Sequence, residues 1–393
     1  MSKPATRKRS YWALFSRAQN VDLAKDLGFM PHLMATQHGY DAFLLTYENG
    51  SYPWSSEVPG TRLVFLPKRF GKSMDVLLFL LKNAREIDVL HIEHLHSNAN
   101  LIAGLFYKLL NPQGILYYKL DASPHIMEAL VNRPRDLKSR LKTGFLHWMM
   151  RRRIDLVSVE SRSNYERLTA RFSDTVGKLM HLPNGCHLTN PPASPPKKKN
   201  IIFTAGRLGA VQKATEILLE GFARVAEPGD WRLVLAGTIE EGFPTEIDRL
   251  FARYPHLRER VDFAGYVTDR ARLYQLYGEA RIFCFPSRWE GFSHAVIEAA
   301  YFADYLIATD VGGVADALDV TGYGRIVPFD DPAALAAALQ ETITHWSEIE
   351  RPTEEIQRLV NEKLTWRAQC ERLHERLNSL FSKRGEQTRY KRQ

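Results

Sequence analysis

The chain has 393 residues, 45% hydrophobic and 25% charged, which excludes disorder throughout and predicts two domains of ordinary size, each with its own core. Cys186, Cys284 and Cys370 stand far apart with no Cys-x-x-Cys, which excludes a disulfide scaffold and a cysteine zinc site and predicts a reducing compartment. The net charge of +8 is uneven: residues 1–190 carry 26 Lys+Arg against 16 Asp+Glu, the remainder 27 against 29, so the first half is expected to meet an anion, whether lipid headgroups, nucleic acid or a phosphorylated substrate.

Near the start, the apolar stretch from Trp12 to Phe15 is too short for a signal-peptide core, and no later run reaches the 18 or more apolar residues of a span. The expected location is the cytoplasm, or the cytoplasmic face of a membrane. Short apolar, β-rich runs then follow at 11–16, 40–46, 61–66, 88–93, 114–120, 156–160 and 178–182, with helical patterns such as 76–85 and 98–110 between them. This alternation predicts a parallel sheet with crossover helices.

Residues 133–153 contain eight Lys+Arg and one Asp, with Leu137, Leu141, Phe145, Trp148 and Met149 three or four apart. Such a basic helix either packs its apolar face on the first domain's sheet or lies on an anionic bilayer. After Pro183-Asn184-Gly185 comes Asn190-Pro-Pro-Ala-Ser-Pro-Pro-Lys-Lys-Lys199, proline-rich and then basic, which reads as a linker because neither a helix interior nor a central strand tolerates it. A second alternating set occupies 201–205, 231–236, 260–264, 281–285, 305–309 and 324–327, and the chain closes on a helix over 365–383 and a polar tail.

The fold class is therefore α/β, two Rossmann-like, doubly wound domains. Residues 1–187 form the first and 188–364 the second, with a C-terminal helix 365–384 free to cross back to the N-terminal domain and a tail 385–393. If the two sheets face one another their carboxyl ends flank a cleft, so the site is expected between domains.

The sequence contains no Gly-x-Gly-x-x-Gly, P-loop, His-Glu-x-x-His or Gly-x-Ser-x-Gly, and no Asp-x-Asp pair to hold a metal on a diphosphate. Basic side chains and backbone N–H groups must then meet any phosphate, and no metal site or cofactor is expected. The segment from Arg281 to Ala300 reads as a strand stopped by Pro286, a loop, and a helix opening near Ser293, the layout that offers free amides and a positive dipole end to an anion. Helical side chains lean toward the N-terminus, so Glu298 is expected to point back toward Glu290 in the loop, placing two carboxylates at one pocket.

This segment resembles the Glu-x7-Glu motif of the retaining GT-B glycosyltransferases of family 4. The other marks stand in order: Leu182-Pro183-Asn184-Gly185, Thr204-Ala-Gly206-Arg207-Leu208 with Lys213 downstream, Leu235-Ala-Gly237, Phe263-Ala-Gly265-Tyr266-Val267, Gly312-Gly313 and Trp366. The resemblance implies a GT-B fold with an interdomain cleft and a nucleotide-diphosphate sugar as donor substrate. It implies that Arg207 and Lys213 clamp the diphosphate, that Gly206, Gly291, Phe292 and Ser293 line the donor site, that Glu290 contacts the transferred sugar and that Glu298 meets the ribose. It further implies a retaining hexosyl transfer to a carbohydrate or lipid-linked acceptor, in cell-surface polysaccharide or glycolipid synthesis.

Two departures stand in the first domain. Ser16-Arg17-Ala18-Gln19-Asn20 replaces a usual Gly-rich turn, and Asp121 occupies the place of a common His, which leaves Asp121, His94 and His96 as alternative contacts to the sugar. Competing readings are a basic nucleic-acid-binding or DNA-modifying protein, which lacks a nucleic-acid signature, and a sugar-nucleotide epimerase. The donor base (UDP, GDP or ADP), the sugar, the linkage and the oligomeric state are left open.

Overall fold

The computed structural model describes residues 7–390 except 96, 123, 133–135, 189–191, 193–195 and 227–228. His96, Arg133, Arg135 and most of the proline-rich segment thus lie outside the described residues. The chain divides into two units, Met1–His187 with Trp366–Gln393, and Leu188–Thr365.

The first unit is built on seven parallel strands, β1 (Ser10–Leu14), β2 (Asp41–Thr46), β3 (Arg62–Phe65), β4 (Val89–Glu93), β5 (Ile115–Leu120), β6 (Leu156–Val159) and β7 (Leu179–His181), in the spatial order β3-β2-β1-β4-β5-β6-β7. A parallel sheet is covered on both faces, so its strands are apolar on both sides. β5 sends Leu116, Tyr118 and Leu120 into one core and Ile115 and Tyr117 into the other. Helices Lys72–Asn83, Asn98–Leu110 and Leu137–Arg152 cover the first core; helices Asp26–His38 and Trp366–Tyr390 cover the second. In the last helix Trp366, Cys370, Leu373 and Leu377, three or four apart, are buried, and the Trp366 N–H donates to the Cys186 carbonyl at 3.1 Å.

The second unit has six parallel strands, β8 (Ile201–Ala205), β9 (Arg232–Ala236), β10 (Val261–Gly265), β11 (Ile282–Phe285), β12 (Tyr305–Thr309) and β13 (Gly324–Val327), ordered β10-β9-β8-β11-β12-β13. Both sheets therefore reverse direction between their first and fourth strands, which opens a crevice at the carboxyl ends of those two strands.

Three expectations need correcting. Helix Lys72–Asn83 begins four residues before position 76, because the buried Asp75 carboxylate accepts from the Arg69 and Phe70 N–H groups and fixes the turn at Gly71. In helix Leu137–Arg152 the expected stripe divides: Met149 is buried and Phe145 packs part-buried on the core, joined by Leu146 and Met150 from outside the stripe, while Leu137 (71% exposed), Leu141 (67%) and Trp148 (41%) do not face it. The basic end of the presumed linker is docked, for Lys198 Nζ lies 2.5 Å from the buried Asp304 and 2.6 Å from the Ala280 carbonyl. Burial holds the Asp304 carboxyl up at about 7, against the opposing pull of Lys198.

Behind the carboxyl ends of β4, β5 and β6 lies a buried ionic group. Lys119 is fully buried between Asp26, at 2.7 Å, and Glu160. Burial alone would lower the Lys119 pKa, but Asp26 and Glu160 raise it well above its ordinary value. His91 Nε2 stands 2.9 Å from Glu93 Oε1, and burial, reinforced by the Lys119 charge, lowers this imidazole to about 3. Burial raises both Glu93 and Glu160 to about 8.

An acid that keeps its proton to about pH 8 when folded, but only to about 4.5 when unfolded, contributes stability that is lost as pH rises across that window. His91 works in the opposite sense, its contribution being lost as pH falls from 6.5 toward 3, so the range between pH 6.5 and 8 isolates the carboxyls. Glu93→Gln should make the fall in stability across that range shallower by as much as about 1.4 kcal/mol per pH unit, read from urea midpoints at several pH values. An unchanged slope would remove Glu93 from the account.

Candidate active site

The site is built at the reversal point of the second sheet. β8 ends at Ala205 and runs into Gly206-Arg207-Leu208, while β11 ends at Phe285 and runs into Pro286-Ser287. These two turns, with Lys213, line a common small cavity. The Gly206 N–H donates to the Ala236 carbonyl at 2.9 Å and the Gly237 N–H to Gly265 at 2.8 Å, so the strand ends stay laced beyond the sheet. Gly237 sits at φ +146°, where a Cβ would lie 1.6 Å from the Gly206 carbonyl. Only glycine permits that approach.

Lys213 is positioned by a turn: its N–H donates to Ala210 at 2.8 Å, and Ala214, at φ 47°, turns the chain into helix Thr215–Ala223. Its ammonium lies 4.9 Å from the Phe285 ring centroid and 2.5 Å from Glu290 Oε1. The structure thus brings Lys213 and Glu290 together although 77 residues separate them. Arg207 is exposed, hydrogen-bonded to Gln212 at 3.1 Å and 3.8 Å from Glu240.

The two loops are pinned to each other by a residue that sequence reasoning missed. Arg288 bonds Glu216 at 2.7 Å, Asp330 at 2.6 Å and the Val211 carbonyl at 2.5 Å, and Gln212 reaches the Trp289 carbonyl at 2.9 Å. Arg288 therefore fixes Gln212, and with it the turn that presents Lys213. Its only sequence signal was membership of the segment before Glu290.

Glu290, Gly291 and Phe292 lie against Gly312 and Gly313, which follow β12. A Cβ at Gly312 would come within 3.0 Å of both Glu290 Cβ and the Gly291 carbonyl, and one at Gly313 within 2.1 Å of the Phe292 ring. This close approach is the physical content of the Gly-Gly motif. Ser293 is buried and holds the N-cap position of helix His294–Tyr301, but its hydroxyl makes no capping hydrogen bond. The helix starts where expected, and the capping bond expected of Ser293 is absent.

Glu298 has partners of its own. Arg270 Nη2 approaches it at 2.6 Å, also bonds the Tyr274 hydroxyl, and Tyr277 hydrogen-bonds the same carboxylate. Burial would lower the Arg270 pKa, but Glu298 raises it. Asp269 caps helix Arg270–Glu279 by accepting from the Ala271 N–H at 2.9 Å, a start signal visible in sequence. Nothing in sequence links Arg270 to a residue 28 positions later.

In the first unit Asp121 is exposed just after β5, and its charge is among those raising Glu93 and Glu160. His94 follows β4 in the left-handed region, at φ 63°; its N–H donates to the Lys119 carbonyl at 3.1 Å and its ring meets Phe15 edge-on at 5.4 Å. A non-glycine residue held there is strained and is kept so by its surroundings. His94 borders a cleft of about 700 Å³ at the β1/β4 reversal point.

Residues 199–345 match the model of the family Glycosyl transferases group 1. Over those residues the chain resembles the group 1 glycosyltransferases. Among curated proteins it is similar to mannosylfructose-phosphate synthase of Agrobacterium fabrum, 33% identical over 138 residues (34% of this chain, 29% of that one). It is also similar to phosphatidyl-myo-inositol mannosyltransferase of Mycobacterium leprae, 25% identical over 193 residues (47% and 49%). The chain spans less than half the length of each of these two relatives.

Among solved structures it resembles HepE of Anabaena in complex with UDP, at 15% identity and a TM-score of 0.67, covering 94% of this chain and 100% of that one. Sucrose-phosphate synthase of Thermosynechococcus elongatus aligns at 18% identity and a TM-score of 0.68, covering 95% and 100%. These likenesses show the fold, which is that of the GT-B glycosyltransferases. No helix among the described residues is long and apolar enough to cross a membrane.

The packing of Gly313 on Phe292 generates a test. Gly313→Ala should destabilise by about 1–3 kcal/mol, the cost of overpacking. Gly144→Ala, in mid-helix with nothing within 4 Å, should be neutral or stabilising by up to about 1 kcal/mol. Thermal midpoints of both variants check this, and equal midpoints would contradict the contact.

Proposed function

We propose that this protein is a group 1 glycosyltransferase and a retaining enzyme of family 4, which transfers a hexose from a nucleotide-diphosphate sugar to a carbohydrate or lipid-linked glycan acceptor. The observation that carries the reading is the Lys213–Glu290 pair beside Arg207 at the reversal point of the second sheet.

Arg207 and Lys213 take the diphosphate. Lys213 exchanges the Glu290 carboxylate for phosphate oxygens, and the freed Glu290 turns to the sugar. Gly206, the backbone at Gly291 and Phe292, and Ser293 at the helix start supply the remaining donor contacts, while Glu298, held by Arg270 and Tyr277, meets the ribose hydroxyls. In the transfer the bond from the sugar C1 to the diphosphate oxygen breaks as the bond to the acceptor oxygen forms on the same face, and the acceptor's proton passes to the departing diphosphate. Stabilising the charge on that diphosphate is the largest task of the site, and two cations and oriented amides perform it. No metal ion or cofactor is assigned to this step. Asp121 and His94 are the described first-unit candidates for contact with the sugar, His94 being the one that borders a cleft.

The test is a thermal-shift screen of the full chain with UDP-, GDP- and ADP-glucose, since a ligand that binds only the folded state raises the midpoint according to its affinity. UDP-glucose comes first because a complex of HepE with it is known. One donor should raise the midpoint. Lys213→Ala should abolish that shift, and Glu298→Ala should cut transfer by about a hundredfold or more while the fold is kept. A wild-type shift in the Lys213 variant, or no shift with any donor, overturns the proposal.

A role in cell-surface polysaccharide or glycolipid synthesis places the enzyme at the cytoplasmic face of an anionic membrane. The exposure of Leu137, Leu141 and Trp148 beside Lys138, Arg140, Arg151 and Arg152 supports contact through helix Leu137–Arg152. Co-sedimentation with vesicles containing phosphatidylglycerol should fall several-fold for Leu141→Asp, and equal sedimentation would remove the helix from membrane contact.

A further inference from the structure

The first unit carries charge that the donor site does not use. Its cleft of about 700 Å³ opens where β1 and β4 diverge, with Leu14 to Arg17 leaving one strand and His94 to Asn100 following the other. Among the described residues three basic side chains line it, Arg17, Lys72 and Lys142, and no acidic one does. They come from three separate parts of the fold: the turn after β1, the first residue of helix Lys72–Asn83, and the second turn of helix Leu137–Arg152. Among the described residues none of the three has an ion pair or a hydrogen bond through its charged end.

That absence sets them apart from the cations at other strand ends. Lys119 is paired with Asp26 and hydrogen-bonded to Glu160, and Lys213 is paired with Glu290. Lone surface lysines are ordinarily solvated, but three uncompensated positive charges around one concavity focus potential into it and raise the local concentration of anions. Helix Asn98–Leu110 also begins in the cleft, with no side-chain cap from Ser97, so its first amides add donors to the same space.

We propose that this cleft binds the phosphoryl group of the acceptor, so that the acceptor is a phosphorylated sugar or a phosphoryl-bearing lipid headgroup held by Arg17, Lys72 and Lys142. Calling the ligand an acceptor rests on the glycosyltransferase reading above; the anion site itself does not. The volume far exceeds one phosphate and falls within the range of small-molecule sites, leaving room for the rest of the ligand against Leu14, Phe15 and Val76. Arg17 stands in the very turn, Ser16-Arg17-Ala18-Gln19-Asn20, in which this chain departs from the usual glycine-rich form. A guanidinium there supplies the bidentate contact to phosphate that a glycine cannot.

The experiment measures binding to the full chain without donor. Glucose 6-phosphate should broaden its ³¹P resonance saturably, and glucose at equal concentration should not displace it. Vesicles of phosphatidylinositol, compared with phosphatidylcholine, form the second arm. Saturable binding of the soluble probe identifies a free sugar phosphate as the source; binding of the phosphatidylinositol vesicles alone identifies a headgroup.

In either arm Arg17→Ala and Lys72→Ala should each weaken binding by about tenfold, the effect of losing one charge-assisted contact. Lys213→Ala, in the other unit, should leave it unchanged. The Arg17/Lys72 double variant should keep its thermal shift with the donor, so that failure of the donor reading and failure of this one are separable. Wild-type affinity in the double variant, displacement by glucose, or no binding in both arms would overturn the proposal.

Discussion

Each candidate contact in this protein is set by one constraint of parallel sheets. Right-handed crossovers cover both faces of a sheet only if the strand order reverses somewhere, and at the reversal two neighbouring strands send their connections to opposite sides. The chain cannot close that gap with backbone. β1 and β4 leave it in the first unit, β8 and β11 in the second, and the side chains brought there come from turns that the strand ends place.

The two gaps are filled differently. In the second unit the loops lie close on one another, Lys213 is already satisfied by Glu290, and Arg288 locks both turns. Such a site is preorganised and neutralised, and under the proposed function the donor's diphosphate enters by exchange with the Glu290 carboxylate. In the first unit the gap is wide and its cations have no carboxylate to exchange. Immediately behind that open region lies the group of Lys119, Asp26, Glu160, Glu93 and His91. This buried group makes the strand ends rigid and holds the backbone that presents His94. An ionic cluster of this kind is weak evidence for net stability, because removing its charges from water offsets much of their attraction; its effect here is to fix where β4, β5 and β6 end.

Much of the fold could be read directly from the residues. The thirteen strands among the described residues stand where apolar, β-rich runs predict them, with bounds that agree or shift by at most two residues, because a strand buried on both faces has little room for polar positions. The glycines were legible too, since Gly237 and Gly313 sit where a side chain would strike backbone or ring. What could not be read was pairing across distance. Arg270 with Glu298, Arg288 with Glu216 and Lys198 with Asp304 join residues that share no periodicity or spacing. The division of Leu137, Leu141 and Trp148 from Leu146, Met149 and Met150 was hidden for a related reason: a wide apolar arc on a helix does not reveal which part of it the neighbouring helix covers.

The Trp366 N–H donates to the Cys186 carbonyl, and the four buried apolar residues in the first turns of this last helix complete a core whose other buried members lie in the first 182 residues. The second unit is thus an insertion within the first. During synthesis the inserted unit is made in full before the helix that completes the first unit's core. The usual order, in which the N-terminal domain matures first, is not open to the first unit, whose core includes residues that follow the second unit in sequence. Until that helix docks, Tyr11 and Tyr117 of the sheet and Met30 of helix Asp26–His38 form an incomplete core face, the surface that a chaperone would have to shield.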